Sequence, residues 1–186
     1  MKKVMLTITG LGGGGAERVV TVWARQLREA GYDVSIMTYG RKENEYPIDP
    51  AVPVFTVARN RDEYLRLSYF ARLKRMRSVL KREKPDVLIN FLPRMQIWMM
   101  LASFGMKIRR IETVRISPWK LSGSAVEIFL WKMCMSRASA VLLQTKEQGE
   151  FFNRCLSCSR AFSISSSREI FTFRKPSFSP RFTAST

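Results

Sequence analysis

Over the first 152 positions, short continuous apolar runs alternate with segments whose apolar residues recur at helical spacing. Lys3–Thr9 is a run of the first kind and predicts a buried strand. Ala16–Ala30 follows, with Val19, Val20, Trp23, Ala24 and Leu27 on one helical face and Gly31 in the stop position. Further strands are predicted at Asp33–Tyr39, Val54–Ala58, Asp86–Phe91, Arg109–Arg115 and Ala140–Gln144. A polar loop with Pro47, Pro50 and Pro53 separates the second and third of the predicted strands. A long helix is predicted over Arg66–Lys84, closed by Pro85, with further helices near Met95–Gly105 and Gly123–Ser136. Strands alternating with helices imply an α/β domain with a doubly wound, mostly parallel sheet covered on both faces. There is no internal repeat.

The pattern stops after Asn153. From Arg154 to Thr186 there are nine serines and six basic residues against one acid, Glu169. Neither periodicity persists there, so residues 1–152 are expected to form the domain and 153–186 a basic, serine-rich, disordered tail. A break this abrupt is expected where a reading frame changes or a longer gene stops early.

Length and composition narrow the partners rather than the fold. The 186 residues suit one domain, 46% hydrophobic and 25% charged. The net charge of +17 favours polyanions: phosphorylated substrates, anionic lipid or nucleic acid. With no histidine, histidine triads and histidine-ligated zinc sites are excluded. Cys134, Cys155 and Cys158 are an odd set that reads as reduced cytosolic thiols, and no second C-x-x-C completes a zinc shell around Cys155 and Cys158. The apolar start ends at Gly10 with no small-residue cleavage site after it. The stretch Val87 to Met106 is interrupted by Asn90, Pro93, Arg94 and Gln96, which suits a strand and core helix better than a span. A cytoplasmic protein is expected, with contact at a membrane surface left open.

Candidate chemistry concentrates in Ile8-Thr9-Gly10-Leu11-Gly12-Gly13-Gly14-Gly15-Ala16-Glu17-Arg18, between the first strand and first helix. Consecutive glycines tolerate positive φ and let the backbone approach a ligand. The helix that follows brings N–H groups and a positive dipole end to the same point, suiting a phosphate or diphosphate. A turn without a ligand is the plainer reading. Gly10-x-Gly12-x-x-Gly15 also fits the dinucleotide fingerprint, but the acid expected about 20 residues on, at the end of the second strand, is absent. Arg41 and Lys42 there could hold a 2′-phosphate, so an NADP-binding oxidoreductase half is the first alternative, although Tyr-x-x-x-Lys does not occur. A basic membrane or nucleic-acid adaptor, which needs only the charge, is the second.

The run Gly13-Gly14-Gly15-Ala16-Glu17-Arg18-Val19-Val20 closely resembles the GGAERV signature of retaining glycosyltransferases of the GT-B fold, notably those that build bacterial surface polysaccharides. Three further segments are similar to that family: Leu27 to Val34, with Tyr32 in place of a histidine, Lys84-Pro85-Asp86-Val87-Leu88-Ile89, and Glu112 to Pro118, where Ile116 and Ser117 replace Asn-Asp. The likeness covers about residues 2–152. It implies a Rossmann-like N-terminal half that binds the acceptor and turns its glycine loop toward the donor diphosphate across a cleft. The family's donor half carries glutamates spaced E-x7-E, a spacing absent here, as is Asp-x-Asp. The resemblance therefore implies metal-independent transfer without a cofactor, and a chain expected to be inactive alone.

The expected diphosphate and substrate set is Gly12, Gly13, Gly14, Gly15, Glu17 and Arg18, joined by Arg94 and Arg115, which follow apolar runs near strand ends. Structural salt bridges are the alternative for both arginines, and no catalytic base is named. Expected partners are a nucleotide-sugar diphosphate, held weakly by this chain, and a lipid-linked sugar acceptor. The helix Arg66–Lys84 adds a basic face that suits an anionic membrane. No motif for specific nucleic-acid recognition accompanies it.

Overall fold

The computed structural model describes residues 1–41, 45–114, 124–143 and 161–163. Its centre is a parallel sheet of seven strands in the order β3-β2-β1-β4-β5-β6-β7. The strands are β1 (Lys3–Thr7), β2 (Asp33–Thr38), β3 (Val54–Thr56), β4 (Val87–Asn90), β5 (Arg109–Val114), β6 (Ala140–Leu143) and β7 (Ala161–Ser163). The helices are α1 (Gly15–Glu29), α2 (Arg61–Arg66), α3 (Tyr69–Glu83), α4 (Pro93–Ala102) and α5 (Ala125–Ser136).

Alternation along β1 decides the two faces. Val4 and Leu6 meet Val20, Ala24 and Leu27 of α1, together with Ile36, Ile89 and Ile111 from neighbouring strands. Met5 points the other way, to Met37, Leu88, Met76 and Leu80 of α3, and Met95 and Met99 of α4. A third cluster seats Trp131, Cys134 and Met135 of α5 on Val141 and Leu143 of β6. The chain runs outward from β1 to β3 and returns on the opposite side at β4. That reversal opens a crevice between β1 and β4 at the carboxyl edge of the sheet, where doubly wound domains bind ligands.

The helix expected over Arg66–Lys84 is α3, which begins only at Tyr69, and the short α2 precedes it as a separate helix. Leu67 is extended, and Ser68 restarts the helix as an N-cap whose side chain accepts from the Ala71 N–H. A cap serine inside an otherwise helical pattern hides such a break. Lys84 closes α3 in the left-handed region at φ 49°, and Pro85 bars continuation. Tyr69 and Phe70, at helical spacing with Leu73, Met76 and Leu80, are 75% and 77% exposed, and the core contacts fall to Met76, Val79 and Leu80. Phe104, just past the end of α4, is exposed as well. Part of the basic face is structural: Arg75 donates to Val57 O and Glu63, and Arg77 to the carbonyls of Ala102 and Phe104 at the end of α4. β7 lies beyond the boundary expected at residue 152, paired with β6. The rest of the tail lies outside the described residues.

Candidate functional site

The glycine loop grows from the end of β1. Ile8 N–H donates to Met37 O and Tyr39 N–H to Thr9 O, so the chain leaves the sheet tied to the end of β2. Leu11 is fully buried, its carbonyl accepts from Tyr46 N–H at 3.0 Å, and Gly12 bridges to Glu45. The loop is thus pinned from both sides rather than left as a bare turn. Gly13 alone among Gly12–Gly15 has a left-handed φ, at 38°, and Gly14 N–H closes the turn on Gly12 O at 2.7 Å. Gly14 is the N-cap of α1 and brings no side chain to it; Gly15 begins the helix, and Arg18 N–H makes the bond to Gly14 O at 3.1 Å. The positive end of α1 therefore opens at the crevice.

Glu17 complicates that end. A Cβ placed on Gly14 would run into the Glu17 carboxylate, so the acid folds back over the helix N-terminus, where its charge offsets the dipole. An incoming phosphate must displace it. Arg18 stands exposed in the same first turn.

Gly14 is extended (φ −97°, ψ 163°), and its close neighbour is the mobile end of Glu17. The conformational constraint sits at Gly13. We expect Gly13→Ala to cost about 1 kcal/mol and Gly14→Ala less than about 0.5 kcal/mol, read from thermal melts of the two variants.

The facing wall follows β4. Phe91 is buried and meets Trp23 of α1 edge-on, with ring centroids 5.4 Å apart. Leu92 then adopts φ 68° and ψ 136°, a region L-residues rarely occupy, and Pro93 opens α4. α4 has no side-chain cap and no acid in its first turn. Arg94, expected near a strand end, lies in that turn, 79% exposed, with a loose ion pair of 3.8 Å to Glu127. Glu127 serves at the same time in the capping box of α5 with Ser124. Strand order sets the α4 turn beside the glycine loop. Arg115 lies outside the described residues, as do Cys155 and Cys158, while Cys134 is a buried thiol.

Sequence reasoning passed over a buried polar row beneath this edge. Thr7 Oγ1 donates to Asn90 Oδ1 at 2.7 Å, and Asn90 Nδ2 donates to Glu112 Oε1 at 3.0 Å. The row crosses β1, β4 and β5 in register. Glu112 is fully buried, its Oε2 has no hydrogen-bond partner among the described residues, and Arg110 approaches Oε1 only to 3.9 Å. Burial pushes its carboxyl up to about 7 against the opposing pull of Arg110 and the Asn90 amide. Asn90 and Glu112 interrupt apolar runs, which was the available signal. Among the described residues no three metal-ligating side chains gather.

A sequence model of Glycosyltransferase Family 4 matches residues 13–160. The chain belongs to that family. Its match begins at the pinned glycine turn and runs through β6. Among curated relatives, a Haemophilus influenzae protein described as an uncharacterized glycosyltransferase is 31% identical over 113 residues, 60% of this chain and 31% of that protein. A Campylobacter jejuni α-1,4-N-acetyl-D-galactosaminyltransferase, named for a diNAcBac-PP-undecaprenol-linked substrate, is 32% identical over 110 residues, 58% of this chain and 30% of that protein. The match to each of these relatives thus spans less than a third of the relative's length.

Solved structures agree on the architecture. Sucrose-phosphate synthase from Thermosynechococcus elongatus superposes with a TM-score of 0.69 at 10% identity, over 89% of this chain and 48% of that one. MurG from Acinetobacter baumannii gives 0.59 at 15%, over 91% and 46%. Anabaena HepE in complex with UDP-glucose gives 0.61 at 13%, over 89% and 44%. The fold is the Rossmann-like N-terminal half of the GT-B architecture, and the family does not favour the oxidoreductase and adaptor alternatives.

Proposed function

We propose that this domain is the acceptor-side half of a sugar transferase that moves a sugar from a nucleotide-diphosphate donor to a lipid-linked acceptor. The observation that carries the reading is the pinned glycine turn opening into α1 at the β1–β4 crevice, with the exposed Arg94 on the adjacent helix turn. The loop and the α1 dipole meet the donor diphosphate, and Arg94 supplies a cation from the other wall. Glu17 yields to the ligand, and the exposed Arg18 adds to the basic lining. Catalysis by charge stabilisation at the leaving diphosphate suits a site without histidine.

The acceptor reading leans on the Campylobacter relative, whose name specifies a diphosphate-linked polyprenol substrate. The corner between α2 and α3 suits such a partner, because Leu65, Tyr69 and Phe70 are exposed beside the exposed Arg66 and Lys74. No helix among the described residues is long and apolar enough to cross a membrane. Peripheral contact with the inner face of an anionic membrane, at about 1 kcal/mol per surface cation, brings the domain to its acceptor.

Calorimetric titration of the chain with UDP and, separately, NADPH tests the site. UDP should bind weakly, and Arg94→Ala should weaken it about five- to tenfold, the loss of about 1–1.4 kcal/mol. Tight NADPH binding with no response to UDP would move the reading to the oxidoreductase alternative.

A further inference from the structure

Gln96 joins four elements from within the interior. It is 1% exposed, in the second turn of α4. Its Nε2 donates to Thr113 O at 2.7 Å and to Asn90 O at 3.3 Å, so one amide spans the ends of β4 and β5. Its Oε1 accepts from Trp131 Nε1 of α5 at 2.8 Å, and its backbone carbonyl accepts from Cys134 Sγ at 3.4 Å. Thr113 Oγ1 adds a bond to the same Asn90 carbonyl at 3.0 Å. The paired register of β4 and β5 closes at Asn90 opposite Glu112, and Gln96 occupies the gap where the strands part.

This clamp lies two residues beyond Arg94 and four beyond Leu92. A leucine at φ 68° persists only where its surroundings over-determine it. The fixed partners of Gln96, on two strands and a second helix, supply that constraint and set the start of α4 against the sheet. Without them the first turn of α4 is free to relax toward ordinary backbone angles, carrying Arg94 with it.

We infer that Gln96 is a positioning residue: it acts through Arg94, holding the α4 turn at the height where the guanidinium meets a diphosphate in the crevice. The inference rests on the diphosphate reading above. It predicts a specific coupling. A merely structural glutamine would change stability and would leave the energetic contribution of Arg94 intact.

The test is a double-mutant cycle of Gln96→Met and Arg94→Ala, with UDP affinity by calorimetry and melting temperature as separate readouts. Gln96→Met alone should weaken UDP about fivefold and reduce the salt dependence of binding as Arg94→Ala does. In the Arg94→Ala background it should change affinity less than about twofold, whereas the melting shifts should add, because the two side chains share no partner. The same loss of affinity with and without Arg94, or none in a folded Gln96→Met protein, overturns the inference and leaves the diphosphate reading standing. A wild-type chain indifferent to UDP sinks both. If Gln96→Met does not fold, the cycle runs with Trp131→Phe, which removes one donor to Gln96. Non-additivity with Arg94→Ala is again expected there, and additivity overturns the inference.

Discussion

Replacing Gly40 by valine is expected to lower the unfolding free energy by about 3 kcal/mol, a fall of about 6–12 °C in melting temperature for a domain of this size. Gly40 follows β2 and is buried. A Cβ there would lie 2.8 Å from the carbonyl carbon of Asn60 and 2.9 Å from its oxygen. Both atoms are backbone, and that backbone is held: Asn60 is the N-cap of α2, accepting from Glu63 N–H at 2.8 Å, and it bridges to Arg41. Moving it disturbs the cap and the α2 residue Tyr64, whose ring stacks on Tyr39 at 4.2 Å. Gly15→Ala is the control, since nothing lies within 4 Å of its Cβ position. Denaturation in urea compares them, and a Gly40→Val protein as stable as the Gly15→Ala control would refute the close approach.

The need for glycine at position 40 was not legible in the sequence, because it arises between residues 20 apart whose meeting depends on the finished sheet. The strands themselves were legible: buried on both faces by helices, they read as continuous apolar runs, and β1, β2, β4, β5 and β6 all lie where those runs predicted. The glycine loop was also legible, since a cluster of glycines between a strand and a helix has a local cause. What stayed hidden was relational. Ser68 sits in a helical pattern and starts a separate helix there, because a cap is decided by its neighbour's geometry. Tyr69 and Phe70 keep helical spacing and still face outward, since the two-residue extended break at Leu67 and Ser68 turns α3 away from the line of α2. Asn90, Gln96 and Glu112 read as polar residues tolerated in apolar runs. Only strand order brings them together, and only then do they form a connected interior.

That interior yields the second large effect, a dependence of stability on pH that a chain without histidine should otherwise lack between about pH 5 and 7.5. Glu112 carries its carboxyl up to about 7 in the folded domain, against an ordinary 4.5. Burial is the main cause; the facing groups are Arg110 on its own strand, Asn90 on β4 and Cys134 on α5, with Thr7 behind Asn90. The burial of the Cys134 thiol pushes it upward as well, so it does not titrate in this window. Because the folded value is the higher one, the native state holds a proton that the unfolded chain has released between those two values. Stability from this group is therefore fully present below pH 4.5 and is lost as pH rises through 7. The total is about 3 kcal/mol. Glu112→Gln keeps the size and an acceptor for Asn90 Nδ2 but holds no titrating proton. Urea unfolding at pH 5, 6, 7 and 8 should give a wild-type stability that falls toward high pH and a Glu112→Gln stability that stays nearly level. Arg110→Met sharpens the contrast, since it removes the cation nearest the carboxylate: its destabilisation should be small at pH 5, where Glu112 is neutral, and about 3 kcal/mol at pH 8. Equal pH dependence in wild type and Glu112→Gln would mean that the carboxyl is ionised throughout and that its partners in the fold exceed those of the buried row.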